Sequence, residues 1–199
     1  MFRKHGRRGA RWAGFTVAAL GAGLLAACGG DAGADDGGLR VQTSFYPLRF
    51  VTQRIVGDAA VVGSLTKPGV EPHDVELTPR QIGSVADADL VVYLAGFQSA
   101  VDDALVAVDS RAGFDVSGPA RLTTHTSGTD DDGDEHADDA TDEHADALDP
   151  HFWLDPTRLA DVSDAVAARL AVLAPDLATT FAANAADLRA DLTALRLIE

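Results

Sequence analysis

The sequence has 199 residues with 16 Lys and Arg against 31 Asp and Glu, so its formal net charge is −15. This acidic balance excludes most nucleic-acid-binding proteins, which need basic patches, whereas a hydrophobic content of 46% is enough for a buried core. The single Cys, Cys28, excludes an internal disulfide and a zinc cluster built from thiolates. Any bound metal ion must therefore be held by imidazole or oxygen ligands.

Residues 1–27 have the organisation of an export signal. Basic residues without any acid come first, and an apolar run over 13–27 leads directly to Cys28. The run is shorter than the roughly 20 residues of a membrane-spanning helix, which argues against a permanent transmembrane anchor. The segment Leu25-Ala26-Ala27-Cys28 resembles a bacterial lipobox, which implies cleavage before Cys28 and lipid attachment to it. The alternative is an ordinary secretory signal.

Cleavage would leave a mature protein that begins with a flexible tether at 28–38. Residues 29–38 are only Gly, Asp and Ala, a composition typical of a flexible linker. Cleavage would also remove five of the 16 basic residues and no acid, so the mature net charge would be −20. We expect this protein to lie outside the cytoplasmic membrane, anchored to it by a lipid on Cys28.

Strand-like and helix-like segments alternate from Leu39 onward, which predicts an α/β lobe with a parallel sheet flanked by helices. The segment Ala59–Leu65 is rich in β-branched residues and is predicted to be a strand buried on both faces. Thr78 followed by Pro79 predicts a helix start, because Thr is a favoured N-cap and Pro suits the first helical position. The other predicted elements are strands at 39–44, 90–94 and 114–116 and helices at 47–55 and 99–108.

The segment 125–149 has a different composition from the rest of the chain. It contains 11 acids, no Lys or Arg and three His residues, which predicts a mobile, disordered acidic loop. After it, Asp155 and Pro156 predict the start of a helix that ends near Leu173. Pro175 is predicted to begin a second helix, whose apolar residues at helical spacing are Leu177, Phe181, Leu188, Leu192 and Leu195.

Two short stretches place a His in a proline-containing turn. The stretch GVEPHD at 69–74 contains His73, and DPHFWLDP at 149–156 contains His151. Loops at the carboxyl ends of parallel strands line the ligand crevice of such sheets, and His73 is predicted to lie on one. Imidazole is the usual neutral ligand of Zn²⁺, and a nearby acid commonly orients it; the candidates are Asp74, Asp149 and Asp155. Taken alone, two such His residues are more often surface or capping residues than metal ligands.

Together with their context, these motifs resemble the metal-binding lipoproteins of ABC importers for zinc and manganese. The stretches SFYPL at 44–48 and ADADLVVYLAGFQ at 86–98, the EPH motif, the acidic His-bearing loop and the DPHxWLDP motif carry the resemblance, which extends over residues 39–199. The resemblance implies that His73 and His151 are the two metal ligands of the first lobe. It also implies Zn²⁺ as the cargo, with Mn²⁺ as the alternative, carried by a monomer to a membrane permease.

The resemblance also implies a domain organisation. An N-terminal metal-binding lobe would occupy 39–174, and the segment 175–199 would be the start of a rigid helix that connects two α/β lobes around the metal. Because the second lobe is absent, we expect the chain to be a fragment, a truncated reading frame or half of a split gene. Two imidazoles with the remaining coordination positions open to water should bind Zn²⁺ much more weakly than four protein ligands.

Several further residues have two interpretations. Glu71 could be an additional oxygen ligand, or it could lie beside the ion and face solvent. In the acidic loop, His125, His136 and His144 could capture divalent cations with low affinity, or the loop could be a solvated insertion without such a role. Four aromatic residues near the motifs are predicted to have packing roles: Tyr93, Phe97, Phe152 and Trp153.

No nucleophile and base pair, glycine-rich phosphate loop or paired-carboxylate motif occurs in the sequence, which favours a binding protein over an enzyme. Three alternatives stay open. They are a manganese or iron binder with the same fold, a metal-dependent adhesin, and a zinc hydrolase that uses His73 and His151. A zinc hydrolase would need a third protein ligand and a general base.

Overall fold

A computed structural model describes residues 38–123 and 148–196. These residues form parallel strands and the helices that connect them. Short loops separate most of the elements, which alternate between strand and helix in the first half. In chain order the elements are β1 (Leu39–Thr43), α1 (Tyr46–Val56), β2 (Ala60–Ser64), α2 (Pro79–Ala86), β3 (Leu90–Tyr93), α3 (Ser99–Ala107), β4 (Gly113–Asp115), α4 (Ser117–Ala120), a 3-10 turn (Phe152–Leu154), α5 (Pro156–Leu173), a second 3-10 turn (Pro175–Leu177) and α6 (Ala178–Arg196).

The sheet confirms the predicted parallel α/β architecture. Within the described residues its strand order is β2-β1-β3-β4, and all pairs are parallel. Val41 of β1 lies opposite Val62 of β2 and Leu90 of β3. Parallel strands direct all their carboxyl ends to one edge, so the loops after β1, β2 and β3 meet there.

Helices cover both faces of the sheet. Consecutive side chains of β3 point alternately to these two faces. Leu90 and Val92 belong to the larger core, which also contains buried residues of α1, α5 and α6. Val91 faces the opposite side and packs with Val85 of α2 and Leu105 of α3. A strand buried on both faces must be apolar at every position, as β3 is.

The prediction that Ala59–Leu65 is buried on both faces is wrong. Strand β2 lies at the edge of the sheet and pairs with β1 alone among the described strands. Val62 is 8% exposed and lies in the core, whereas its neighbour Val61 is 77% exposed. Alternation places consecutive side chains on opposite faces, and a β-branched run cannot reveal that one of those faces is open.

The helix starts predicted at Thr78 and Asp155 are confirmed. Thr78 caps α2 in a capping box with Gln81, and Asp155 caps α5 by accepting hydrogen bonds from the backbone amides of Thr157, at 2.8 Å, and Arg158, at 3.4 Å. These bonds satisfy amide groups that have no partner within the first turn of a helix. Both cap residues precede a Pro, as the sequence predicted.

Helix α6 packs against α5 and α1. Three ion pairs support the apolar contact: Arg189 lies 2.8 Å from Asp161 and 2.5 Å from Asp164 of α5, and Arg54 of α1 lies 2.7 Å from Asp191. The α-helix begins at Ala178, after one 3-10 turn that starts at the predicted Pro175. Its buried residues are Phe181, Ala185, Leu188 and Leu192, whereas Leu195, predicted to continue this stripe, is 56% exposed.

Among the described residues, no helix combines the length and the apolar character that crossing a membrane would require.

Candidate metal-binding site

His73 and His151 lie beside each other at the carboxyl edge of the sheet. Their ring centroids are 5.8 Å apart, although one residue lies in the loop after β2 and the other directly before the first 3-10 turn. Each imidazole is partly exposed to solvent. The fold thus brings together the two residues that the sequence motifs selected as ligands.

One carboxylate holds His151 in place. Asp149 Oδ1 accepts a hydrogen bond from the backbone amide of His151, at 2.9 Å, and lies 2.8 Å from its Nδ1. The backbone of Asp149 is held in turn, since its amide donates to the carbonyl of Thr123 at 2.7 Å. A carboxylate beside Nδ1 favours the tautomer that carries its proton there, which leaves Nε2 as the ring nitrogen with a free lone pair.

His73 is held by different contacts. Its ring meets the Phe97 ring in an edge arrangement with centroids 4.6 Å apart. Its Nε2 lies 4.0 Å from Glu71 Oε1, so a carboxylate oxygen stands beside this ring nitrogen. Glu71 is well exposed, with 64% of its side-chain surface open to solvent.

Three aromatic rings form a platform beneath the His pair. Phe45 lies 5.0 Å from Phe97 and 5.2 Å from Trp153, measured between ring centroids. Phe97 contacts His73, and Trp153 contacts His151 at 5.1 Å. Each imidazole therefore rests on a different member of one packed cluster, which restricts the positions that both rings can adopt.

The loop that carries Phe97 is fixed by two carboxylates. Asp115 Oδ1 accepts a hydrogen bond from the amide of Ala95 at 3.0 Å, and Asp102 Oδ2 accepts one from the amide of Gly96 at 3.0 Å. Burial raises the pKa of Asp102, against the lowering effect of the Gly96 hydrogen bond, and the negative charge of Asp115 adds to the increase. Through the two hydrogen bonds, Asp102 and Asp115 hold the loop that carries Phe97.

The predictions for the surrounding residues have different outcomes. Of the three acids proposed to orient an imidazole, Asp149 does so, Asp155 caps α5 instead, and Asp74 is exposed. Phe152 is buried and Trp153 packs under His151, as expected. Sequence reasoning missed the contact of Phe97 with His73, although its position in the loop after β3 could have indicated it, because the loops after parallel strands meet at this edge.

No group of three or more His, Cys, Asp or Glu side chains within residues 38–123 and 148–196 is arranged to hold a metal ion. The remaining predicted sites lie outside these described residues. They are the lipid attachment site Cys28 and the loop residues His125, His136 and His144.

A family model described as ZnuA, the periplasmic component A of a zinc-uptake complex, matches residues 41–197. The chain belongs to this family. The zinc-binding protein AdcA of Streptococcus pyogenes is 33% identical over 159 residues, which cover 76% of this chain and 31% of that protein. The high-affinity zinc uptake system protein ZnuA of Bacillus subtilis is 35% identical over 156 residues, which cover 73% of this chain and 47% of that protein.

A solved structure agrees with these sequence matches. Zn(II)-bound AdcA from Streptococcus pneumoniae has a TM-score of 0.64 and 28% identity, and the match covers 80% of this chain and 31% of that chain. The resemblance that the motifs predicted is therefore confirmed, as is the α/β lobe. The chain spans less than half the length of each of these three proteins.

Proposed function

We propose that this chain binds Zn²⁺ outside the cytoplasmic membrane, through His73 and His151, as part of a solute-binding protein that delivers the ion to an ABC permease. One observation carries the proposal. The ring centroids of two imidazoles from separate loops lie 5.8 Å apart, and Asp149 contacts Nδ1 of His151, which leaves Nε2 of that ring available. The zinc-binding names of the relatives support the same cargo.

The geometry of the pair suits a single zinc ion. Two imidazoles on one tetrahedral Zn²⁺, each at a Zn–N distance of about 2.0 Å, have ring centroids about 5 Å apart. The observed 5.8 Å needs only a small side-chain movement to reach that separation. Glu71 is a candidate third ligand, because its carboxylate already lies 4.0 Å from His73 Nε2.

A complete site requires ligands beyond this pair. Zn²⁺ sites built only from protein ligands are almost always four-coordinate, and two His residues with Glu71 provide at most three protein ligands. Since the relatives are more than twice as long as the segment matched here, we propose that the remaining ligands belong to a second lobe. The matched segment alone should bind Zn²⁺ weakly.

The proposal favours binding over catalysis and zinc over manganese. Imidazole ligands suit Zn²⁺, whereas Mn²⁺ prefers carboxylate and carbonyl oxygens.

Outside the cytoplasm, Cys28 would carry the lipid that anchors the protein to the membrane. The net charge of −20 expected after cleavage (11 basic residues against 31 acids) and the acids of the segment 125–149 would attract cations to this surface.

Calorimetric titration with Zn²⁺ tests the assignment. The double variant His73→Ala/His151→Ala should lose the tightest site. The matched control His125→Ala/His136→Ala removes the same number of imidazoles and should retain that site. Unchanged binding in the first variant, or equal losses in both, would show that the His pair is not the metal site. Parallel titration with Mn²⁺ should give weaker binding than Zn²⁺.

A further inference from the structure

Gln98 is a buried polar residue that connects three loops of the site. It lies between β3 and α3, and only 2% of its surface is exposed. Its Nε2 donates hydrogen bonds to the carbonyl of Pro72, at 2.8 Å, and to Oγ1 of Thr66, at 2.9 Å. Pro72 is the residue directly before His73, so Gln98 holds the backbone next to a proposed ligand.

The chemistry of its partners determines the orientation of the Gln98 amide. The Pro72 carbonyl can only accept a hydrogen bond, and Thr66 Oγ1 already donates its own proton to the carbonyl of Ser44 at 2.7 Å. Both partners therefore need a donor, which only the NH₂ end of the amide provides. The resulting sequence of hydrogen bonds joins the loops after β1, β2 and β3.

Gln98 and its neighbour act on consecutive residues of the His73 loop. Phe97 contacts the His73 ring, and Gln98 holds the carbonyl of Pro72. Pro has no backbone N–H, so its carbonyl is the one polar backbone group through which Pro72 can be held. The two contacts together restrict the backbone and the ring of a half-exposed residue in a loop without helix or strand.

We propose that Gln98 is a positioning residue for metal binding, which holds the His73 loop so that only a small side-chain movement brings His73 and His151 to the separation that one Zn²⁺ requires. This inference rests on the function proposed above. A ligand that is already ordered does not lose conformational freedom when the ion binds, so the affinity is higher. Without its two hydrogen bonds, the His73 loop would have to become ordered during binding.

Two variants remove the donor. Gln98→Leu replaces the amide with an apolar side chain, and Gln98→Glu retains the size while placing a carboxylate against the Pro72 carbonyl. We expect each to weaken Zn²⁺ binding about 10-fold in calorimetry, within the range found for partners that orient metal ligands. Gln53→Leu is the matched control, because the Gln53 amide also donates to a backbone carbonyl, that of Gly57, at 3.0 Å.

A second measurement separates positioning from a general loss of structure. In the metal-free protein, Gln98→Leu should weaken the NMR contact between the rings of His73 and Phe97 and leave that between His151 and Trp153 unchanged. Loss of both contacts, or wild-type affinity in Gln98→Leu and Gln98→Glu, would overturn the positioning role. Wild-type affinity in His73→Ala would instead overturn the proposed metal site, and the role of Gln98 with it.

Discussion

A single carboxylate favours the His151 tautomer that leaves Nε2 available to the proposed metal ion. Asp149 contacts both the backbone amide and the Nδ1 of a residue two positions away, so the whole arrangement lies within one short turn. Such local contacts can be anticipated from sequence, because an Asp side chain commonly accepts a hydrogen bond from the backbone amide of the residue two positions after it. Pro150, which lies between Asp149 and His151, restricts the backbone of the same turn.

Removing Asp149 should therefore weaken metal binding without affecting the fold. We expect Asp149→Ala to lower the Zn²⁺ affinity about 10- to 100-fold, because the ring of His151 would lose its preferred tautomer and orientation. Asp149→Asn, which retains an acceptor oxygen without the charge, should lose less. Asp74→Ala is the control, as Asp74 is an exposed acid in the other His motif. Equal weakening by Asp74→Ala and Asp149→Ala would contradict the orienting role.

At the scale of an element, the start of α5 depends on Asp155. Its side chain accepts from the amides of Thr157 and Arg158, and Arg158 Nε lies 3.5 Å from Oδ2. Partial burial alone would raise the pKa of Asp155, but the hydrogen bonds from these amides outweigh that effect, so its pKa lies below the usual value. The charged form is thus favoured in the folded protein.

The stabilisation by Asp155 should depend on pH in a defined direction. Because folding lowers its pKa, the contribution is complete above the unfolded pKa and is lost as the pH falls through the folded pKa. We expect Asp155→Ala to reduce the free energy of unfolding by about 1 kcal/mol at pH 7. The difference from wild type should decrease below about pH 4.

Urea unfolding at several pH values measures this difference. The control Asp187→Ala removes an exposed acid from α6 and should change the stability by less than about 0.5 kcal/mol. A difference between wild type and Asp155→Ala that stays constant from pH 7 to pH 3 would show that the charge of Asp155 does not contribute.

At the scale of the whole molecule, the residues on either side of the acidic segment lie close together. The amide of Asp149 donates to the carbonyl of Thr123 at 2.7 Å, so the two ends that flank residues 124–147 are directly hydrogen-bonded. Loop-closure entropy changes only slowly with loop length, so a short connection between these ends should be tolerated. Neither His73 nor His151 lies within the removed range.

Replacing residues 124–147 with a short Gly-Ser connection should therefore leave the fold and the tightest zinc site unchanged. We expect the melting temperature to remain within a few degrees and the number of weak Zn²⁺ sites in calorimetry to fall, because His125, His136 and His144 are removed with most of the acids. Loss of the tightest site would show that the segment contributes to it. An unchanged number of weak sites would exclude its role in cation capture.

The amino-acid sequence alone determined the features that depend on neighbouring residues. The helix starts at Thr78 and Asp155 follow from hydrogen bonds that reach only two or three positions along the chain. The two His motifs and their resemblance to a metal-binding family also came from short stretches. For this reason the fold class and these two helix starts could be predicted, and the two His residues could be named as candidate ligands.

The tertiary structure decided every feature that depends on distant residues. The edge position of β2 with its exposed Val61, the 5.8 Å approach of His73 to His151, and the contacts of Phe97 and Gln98 with the His73 loop all join separate elements. Hydrophobic periodicity reports which side of an element is buried, but not which element covers it. The parallel direction of the strands brings those loops to one edge, and the proposed metal site depends on that arrangement.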